Sequence, residues 1–203
     1  MRSKGVTIVC STSEQLPNTY FICLESANEA VIIDVGFHLE WCRQQIAKYQ
    51  TRLVGILLTH GHLSHVARAA ELSETSGKVS VYLARDDLHL VQMLPSFADS
   101  QGYCGVKSPR VSILMDQGGQ FTLGSSLVVN YHLTPGHTPG SCCFKIEKNH
   151  FVGDLWDREK HCYGEAKAWN HEVQRLSSST YQALLNKGDR VHPGHGSSWQ
   201  LDS

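Results

Sequence analysis

The chain has 203 residues, enough for one substantial hydrophobic core, and no shift in composition marks a second domain, so we predict a single domain over residues 1–203. Its 18 basic and 19 acidic residues give a formal net charge of -1, which provides no field to attract nucleic acid or an anionic membrane. The N-terminus lacks the roughly 7–15-residue apolar stretch of a secretory signal, and no segment has the ~18 apolar residues of a membrane span, so we expect a soluble, cytoplasmic protein.

The first elements of the chain are short strands. Three β-branched, apolar segments at 6–10, 19–24 and 29–34 predict a β-meander. Residues 38–50 keep an approximate helical period, and the fully apolar run 53–58 follows them. This order predicts a buried strand that is reached through a crossover helix.

The middle of the chain alternates helices and strands. Ser64 is predicted to cap a helix over 65–76, where small apolar residues form a face suited to close packing. The next predicted elements are a strand over 79–83, a helix around 86–94 and a loop rich in Pro, Gly and Ser near 95–109.

The second half returns to strands and ends with a helix. The strands are predicted around 110–115, 127–133, 141–147 and 150–153, and the amphipathic helix over 173–187. Both halves thus run strands first and helices later. This order predicts two β-sheets packed face to face with helices outside, an α+β protein with the αββα four-layer sandwich.

The strongest functional signal lies where the buried strand over 53–58 ends. There the sequence Thr59-His60-Gly61-His62-Leu63-Ser64-His65 brings three imidazoles together within six residues. His60 and His62 are two residues apart and can share one cation, whereas His65, in the first helical turn, faces a neighbouring position. Neutral imidazole is a standard ligand for zinc or iron. Taken alone, the string is also compatible with three exposed loop histidines.

Three further fragments favour a metal site. His137 lies in a tight turn between strands, Asp154 ends a strand on a carboxylate, and His195 lies in another turn. All three are at the ends of predicted elements, where functional sites are usually built. Together with the histidines that follow strand 53–58, they predict metal-binding side chains drawn from distant parts of the chain.

These motifs give the chain a family resemblance. It resembles the metallo-β-lactamase superfamily, especially the compact branch of hydroxyacylglutathione hydrolases (glyoxalase II) and persulfide dioxygenases. The resemblance spans nearly the whole chain and implies the αββα fold with two mixed β-sheets. The motifs that carry it, in family order and at ordinary family separations, are Asn18-Thr19-Tyr20, Ile33-Asp34-Val35-Gly36, the His60 loop, His137, Asp154 and His195.

The resemblance implies a set of metal ligands and a cofactor. The cofactor is zinc, as one or two ions, with iron as the alternative. Asp34 is expected to support a ligand rather than to bind metal, and the alternative is that it only caps a turn at the end of a strand. The implied ligands are His60, His62 and His137 for a first metal, His65 and His195 for a second, and Asp154 as a bridge between them.

The chain departs from the family pattern at Ser64. Family members with two metals carry aspartate there, and an ionised carboxylate is a stronger ligand than a neutral hydroxyl. Two cations ~3.5–4 Å apart that shared Asp154 as their protein carboxylate would also repel each other with less compensation. We therefore predict one tightly held metal and a second that is absent or loosely bound. The alternative is that the Trp156-to-Glu165 loop supplies the missing oxygen.

The chemistry implied by this site is hydrolysis of a small molecule. A bound divalent ion brings the pKa of water towards ~7, so that metal-bound hydroxide attacks a carbonyl or phosphorus. Asp154, His195 and His65 are the candidate catalytic residues, with either histidine assisting proton transfer. A small thioester or ester is the preferred substrate.

Two other functions remain open from the sequence. Persulfide dioxygenases resemble this pattern with a single iron at positions matching His60, His137 and Asp154, and for them the loss of a second site matters little. Alternatively, Ser64 marks a relative that has lost turnover and only binds a ligand or partner. A site without activity would more often lose several ligands, and the retained set favours an active hydrolase.

The segment after Asp154 contains the candidate substrate contacts. Trp156, Arg158, Lys160 and Tyr163 would form an aromatic wall and a cationic anchor. On composition alone, a solvated charged loop is at least as compatible with this segment. The choice between the two depends on where the loop lies in the fold.

The cysteines are predicted to be structural. The chain has seven, an odd number, and none shows Cys-x-x-Cys spacing, so reduced and mostly buried thiols are expected. Cys142 and Cys143 follow the His137 turn, but alternating strand geometry lets only one of them point inward. Core packing is the predicted role for both.

Overall fold

Two β-sheets form the framework of the molecule. The computed structural model describes residues 5–11, 13, 15–156, 158 and 169–202. In this part of the chain the first sheet has six strands in chain order: β1 (Val6–Ser11), β2 (Thr19–Leu24), β3 (Glu29–Ile33), β4 (Arg52–Leu57), β5 (Val81–Ala84) and β6 (Val111–Met115). The second sheet has six strands, also adjacent in chain order: β7 (Gly119–Leu123), β8 (Leu127–Leu133), β9 (Cys142–Ile146), β10 (Asn149–Gly153), β11 (Arg190–Pro193) and β12 (Trp199–Gln200).

Both sheets are mixed. In the first, β1, β2 and β3 pair antiparallel, as the predicted meander requires, and β3 to β6 pair parallel. In the second, β7 to β10 pair antiparallel, β10 and β11 pair parallel, and β12 returns antiparallel. Parallel neighbours such as β3 and β4 need a crossover connection, which explains the helix between them.

Helices cover the outer faces of both sheets. Asn170 caps the last of them by accepting hydrogen bonds from the backbone amides of Glu172 and Val173. Among the described residues, no helix is long and apolar enough to cross a membrane. The first sheet is covered by α1 (Leu39–Lys48), α2 (Leu63–Val66), α3 (Ala69–Thr75), α4 (Leu88–Gln92) and α5 (Leu94–Ser100), and the second by α6 (His171–Gln182).

Alternating side chains along each strand build separate apolar layers. Phe21 and Cys23 of β2 pack with the helices, whereas Tyr20, Ile22 and Leu24 pack between the two sheets. They alternate because successive side chains of a strand point to opposite faces. A third apolar cluster lies between the second sheet and α6. The predicted αββα four-layer sandwich with two mixed sheets is therefore confirmed.

The single helix predicted over 65–76 is wrong in detail. Two shorter helices, α2 and α3, occupy this stretch. The first begins at Leu63, so His62 rather than Ser64 is the N-cap residue, and no side chain makes a capping bond there. The apolar period of the sequence does not reveal the break between the two helices.

The break in the helix has a long-range cause. The Gly36 amide donates to the His65 carbonyl at 2.8 Å, and the Gly36 carbonyl accepts from the Arg68 amide at 3.0 Å. Both groups would otherwise continue the helical ladder. Gly36 has a φ of +51°, and a Cβ there would lie 2.6 Å from the Ser64 carbonyl oxygen, so only glycine fits this contact.

Other boundaries also differ from the sequence predictions. The loop predicted near 95–109 begins with α5, whose first turn contains Pro95. Proline is tolerated there because the first turn needs no amide donor. The last helix spans His171–Gln182 rather than 173–187. The short strands β7 and β12 were missed, since Gly119 and polar neighbours hide the alternation in one and the other has only two residues.

Candidate metal centre

The predicted metal ligands lie at one edge of the sandwich. His60 comes shortly after β4, Asp154 directly follows β10, and His195 comes shortly after β11. Because β10 and β11 are parallel, their carboxyl ends reach the same edge of the second sheet. His137 lies in the turn between β8 and β9. The site therefore combines loops from both sheets.

The first ligand group consists of His60, His62 and His137. Each offers a ring nitrogen, and these atoms all lie within 4.8 Å of one another. His62 Nδ1 lies 3.0 Å from His137 Nε2. His60 and His137 are buried, whereas His62 is partly exposed. Three nitrogens at this separation suit a single small cation with room for a further ligand.

Asp154 lies between the first ligand group and two further histidines. Its Oδ2 atom is 3.3 Å from His137 Nε2 and 3.9 Å from His60 Nε2. Its Oδ1 atom is 3.4 Å from His65 Nε2 and 3.5 Å from His195 Nε2. We call His65 and His195 the second ligand group. One carboxylate oxygen thus faces each group, as a bridging carboxylate requires.

The unpaired atoms of the centre fit a metal. Among the described residues, His60 Nε2, His65 Nε2 and Asp154 Oδ1, which face the centre, are buried without a hydrogen-bond partner. Leaving such an atom unpaired costs about 1–3 kcal/mol. A divalent cation would satisfy the imidazole and carboxylate lone pairs that face the centre, and this donor set suits zinc or iron.

The side chains of the metal-free centre differ in their pKa values and therefore in their protonation states. Burial, reinforced by the neighbouring imidazoles, holds the pKa of His60 well below its usual value. Burial also lowers the pKa of His65, but the carboxylates of Asp154 and Asp34 outweigh it and raise that pKa to about 10. Burial raises the pKa of Asp154, but three surrounding imidazoles hold it well below its usual value. Without metal, His65 and Asp154 therefore form an ion pair.

Asp34 orients one histidine of each ligand group. Its buried Oδ2 atom accepts from His65 Nδ1 at 3.0 Å and from the Thr59 hydroxyl at 2.6 Å. The Thr59 oxygen in turn accepts from His60 Nδ1 at 3.0 Å. Both rings then present Nε2 to the centre. These bonds are the ones that the predicted supporting role of Asp34 requires, and an additional bond from the Thr59 amide to Oδ1, at 2.8 Å, fixes the turn.

Asp87, which ends a short 3-10 helix after β5, is a buried residue of the site that the sequence does not reveal. Its side chain is fully buried. Oδ2 accepts from the Gly61 amide at 2.7 Å and from the Thr138 hydroxyl at 2.8 Å, and Oδ1 accepts from the Gly140 amide at 2.7 Å. No local signal distinguishes it from the exposed Asp86 beside it, so only the fold reveals its position.

A second set of supports comes from α6. The Gln174 amide group donates to the Asp154 carbonyl at 3.1 Å. The Ser177 hydroxyl donates to the Pro135 carbonyl at 2.7 Å, in the turn that leads to His137. The amphipathic pattern predicted this helix but gave no indication of what its polar side chains contact. Polar side chains of α6, the helix that covers the second sheet, thus support the backbone at Asp154 and near His137.

Each ligand group has one partly exposed histidine, His62 in the first and His195 in the second, where the side chain is 24% exposed. Ser64, in α2 beside the buried His65, is also partly exposed. Most of the Trp156-to-Glu165 loop, the alternative source of a ligand oxygen, lies outside the described residues. The weakening of a second metal site by Ser64 therefore stays a prediction.

The candidate substrate contacts lie in different surroundings. Trp156 is 4% exposed and packs against Tyr181 beneath α6, with 5.9 Å between ring centroids. Trp156 and Arg158 line a cavity of about 470 Å³ near the C-terminal end of α6. Lys160 and Tyr163 lie outside the described residues. A role in substrate binding stays a prediction for all four, and the burial of Trp156 leaves little of it to form an aromatic wall.

Most of the described cysteines are buried thiols. The six described cysteines are free thiols, and four of them are buried. Cys142 packs between the two sheets, and Cys143 packs against α6. Burial raises the pKa of Cys143 to about 12 and that of Cys142 well above its usual value. Both are therefore neutral packing residues, as alternating strand geometry predicted.

Comparison with known proteins places these features in a family. A family model described as the metallo-beta-lactamase superfamily matches residues 13–195. Hydroxyacylglutathione hydrolase GloC of Haemophilus influenzae is 28% identical over 176 residues, which cover 85% of this chain and 82% of that protein. The probable polyketide biosynthesis zinc-dependent hydrolase BaeB of Bacillus velezensis is 26% identical over 182 residues, which cover 87% of this chain and 71% of that protein.

Solved structures share the fold over almost the whole chain. The B3 metallo-beta-lactamase BLEG-1 has a TM-score of 0.83 at 22% identity, covering 97% of this chain and 94% of that one. TTHA1623 in a di-iron-bound form has a TM-score of 0.76 at 27% identity, covering 96% of this chain and 94% of that one. Since the family model spans most of the sequence, the chain belongs to the metallo-beta-lactamase superfamily.

Proposed function

We propose that this protein is a metal-dependent hydrolase that acts on a small thioester or ester, similar to hydroxyacylglutathione hydrolases. The observation that carries the proposal is the position of Asp154, whose two oxygens lie 3.3 Å from His137 and 3.4 Å from His65. A carboxylate shared in this way suits a centre that holds metal and water together. The names of two relatives, a hydroxyacylglutathione hydrolase and a probable zinc-dependent hydrolase, support the reaction class and zinc.

The residues of the chain prepare the centre for this chemistry. A divalent ion bound there would lower the pKa of a water molecule towards ~7 and polarise the carbonyl of the substrate. Asp34 holds the rings of His60 and His65 with Nε2 facing inward, which leaves little reorganisation for the reaction. His195 is the most exposed of the four imidazoles that surround Asp154, so we assign to it the transfer of a proton to the leaving group.

The proposal includes unequal metal sites. The first ligand group provides three imidazoles, enough for a firm zinc site that keeps a fourth position for water, and one oxygen of Asp154 lies beside it. The second provides two imidazoles and the other oxygen, with Ser64 where an aspartate would add a charged ligand. A neutral hydroxyl compensates less of the repulsion between two cations. We therefore expect a second ion to bind weakly.

A second candidate function is supported by a subset of the same ligands. His60 Nε2 and His137 Nε2 lie 3.9 and 3.3 Å from Asp154 Oδ2. Two histidines and one carboxylate form the ligand set of many non-haem iron oxygenases. The di-iron form of TTHA1623 adds support for iron in a related fold. A mononuclear iron oxidoreductase similar to persulfide dioxygenases is therefore the alternative.

Elemental analysis of the purified protein tests the proposal. Protein prepared without added metal is assayed for zinc, iron and manganese per chain, and for release of free thiol from acyl-glutathione thioesters. We expect about one zinc per chain and thiol release that a chelator abolishes. In Ser64→Asp the zinc content should rise towards two, because the new carboxylate completes the second ligand group. Ser100→Asp, an exposed change at the end of α5, is the matched control and should leave the content unchanged.

The other possible results of these assays lead to different conclusions. One iron per chain with consumption of oxygen in the presence of a persulfide favours the oxidoreductase. Two firmly held metals in the native protein contradict the weak second site. No bound metal, even after zinc is supplied, contradicts catalysis and favours a protein that only binds a ligand.

A further inference from the structure

The two loops that form the first ligand group come from different sheets. His62 follows β4 of the first sheet, and His137 lies between β8 and β9 of the second. The ring nitrogens that face each other across this boundary are 3.0 Å apart. In the described part of the chain the two sheets share no ladder, and the Cys142 amide donates to the Thr59 carbonyl at 2.8 Å across the boundary. That backbone bond lies three residues before His62 and five residues after His137, so a contact closer to both ligands is needed to hold them in register.

We propose that Asp87 is a positioning residue that holds the loops of His62 and His137 at the separation needed to share one cation. Its Oδ2 atom accepts one hydrogen bond from each loop, from the Gly61 amide at 2.7 Å and from the Thr138 hydroxyl at 2.8 Å. Gly61 immediately precedes His62, and Thr138 immediately follows His137. A single oxygen thus joins the two loops beside their ligands. This inference rests on the first metal site of the proposed function.

A third hydrogen bond fixes the orientation of the Asp87 carboxylate. Oδ1 accepts from the Gly140 amide at 2.7 Å, so the carboxylate plane is fixed relative to the second loop. A Cβ at Gly140 would lie 2.6 Å from the Asp87 backbone nitrogen and 2.8 Å from its Cγ. Glycine therefore allows the turn to approach the carboxylate closely. Both oxygens are used, so an amide in the same place would leave one donor facing another.

Burial protects this contact from water. The Asp87 side chain has no exposed surface, and Thr138 and Gly61 are buried as well. Hydrogen bonds to an ionised carboxylate are stronger than those between neutral groups, and water does not compete for them here. Because metal–ligand distances tolerate only about 0.2 Å, a small shift of either loop lowers metal affinity. Asp87 acts through the loops and does not itself touch the metal or the substrate.

Competition between the protein and a chromophoric chelator for zinc tests this role. Native protein, Asp87→Asn and Asp86→Asn are first stripped of metal, and the thermal unfolding of each metal-free protein is recorded. We expect zinc affinity to fall about 10–100-fold in Asp87→Asn, the range seen when residues that support ligands are changed. Asp86→Asn alters an exposed neighbour with the same chemistry and should stay within about twofold of native.

The measurement of the metal-free protein separates positioning from stability. If folded Asp87→Asn unfolds at a lower temperature but binds zinc with native affinity, Asp87 only stabilises the fold and the inference is overturned. If Asp87→Asn does not fold, Thr138→Val decides, because it removes one donor and keeps the side-chain shape. Thr138→Val should bind zinc about fivefold more weakly, in line with the loss of one hydrogen bond, and native affinity would overturn the inference. Native protein that binds no zinc would refute the proposed function itself, and the positioning role with it.

Discussion

Buried histidines occur in two regions of this molecule, and the regions differ in whether every ring nitrogen has a hydrogen-bond partner. On the second sheet, away from the metal centre, His150 lies between the Tyr181 hydroxyl at 3.1 Å and the Asp189 carboxylate at 3.0 Å. His192 also has a hydrogen-bond partner for each ring nitrogen. At the metal centre, the Nε2 atoms of His60 and His65 are buried with no hydrogen-bond partner in the described part of the chain.

The contrast shows what identifies a metal ligand here. Both regions bury imidazole beside a carboxylate, so neither burial nor an acidic neighbour distinguishes them. In the pair His150 and His192, the protein itself satisfies every ring nitrogen, and nothing remains to bind a cation. In the metal centre, Thr59 accepts from the outer nitrogen of His60 and Asp34 accepts from that of His65, which leaves the inner nitrogens directed at Asp154. An inward-facing ring nitrogen that lacks a hydrogen-bond partner is therefore the informative feature.

The largest effect on zinc affinity is expected from replacing Asp154, the carboxylate of the metal centre, and it is compared with replacing Asp189, the carboxylate beside His150. Asp154→Asn removes the negative charge that faces both ligand groups, and zinc affinity should fall by more than the roughly 10–100-fold typical of supporting residues. Asp189→Asn removes the carboxylate paired with His150 and should leave zinc affinity unchanged while lowering the unfolding temperature of the metal-free protein. Chelator competition and thermal unfolding measure the two effects. Equal losses of zinc affinity in both variants would contradict the division into two regions.

The next effect is a pH dependence to which His192 contributes. Burial, followed by the nearby positive charge of Arg190, lowers the pKa of His192 to about 4, against a usual value of 6.5. The unfolded chain therefore takes up a proton at higher pH than the folded protein does. Stability is present above about pH 6.5 and is lost as pH falls towards 4, by up to about 3 kcal/mol for this residue. Urea unfolding at a series of pH values measures the slope.

A substitution assigns that slope to one residue. His192→Gln removes the titrating group but keeps a side chain that can donate to the Asn149 amide oxygen, which accepts from His192 Nε2 at 3.1 Å in the native protein. The variant should lose part of the dependence between pH 6.5 and 4. His89→Gln, an exposed change on α4, should retain the native slope. If His192→Gln retains it too, the buried ring does not control acid stability.

The smallest of the three effects concerns Asp34, which links the two ligand groups through their outer nitrogens. Asp34→Asn keeps the shape of the side chain, and asparagine tolerates the φ of +54° found there. In either orientation its amide places a donor against the Thr59 amide, or against the Thr59 hydroxyl and His65. We expect zinc affinity to fall about 10–100-fold, because the orientation of both rings is loosened. Zinc retained after dialysis against increasing chelator concentrations measures it.

One result would contradict the orienting role of Asp34. Native zinc retention in a folded Asp34→Asn protein would mean that the backbone alone orients His60 and His65. In that case the hydrogen bonds from Thr59 and His65 would only cap the turn, which is the alternative role that the sequence leaves open. Asp99→Asn, an exposed change on α5, provides the matched control.

The sequence alone predicts the strands and the site residues that lie in strong local patterns. Apolar runs located β2 at its observed bounds and β4 within one residue at each end, because burial on both faces leaves a continuous hydrophobic stretch. The spacing of His60, His62 and His65 after a buried strand, with His137, Asp154 and His195 at other element ends, predicted a shared site, and the fold does bring these side chains together. Their role as metal ligands stays a prediction.

Contacts between distant parts of the chain could be decided only by the tertiary structure. The Gly36 backbone splits a helix whose period looks continuous, and Asp87 rather than Asp86 turns inward to join two loops. His192, which has no family motif, is excluded as a ligand by hydrogen bonds from β10 and the segment after β11. Each outcome depends on hydrogen bonds between residues far apart in sequence. Local pattern determines what a residue is able to do, and the packing of the two sheets determines which partner it meets.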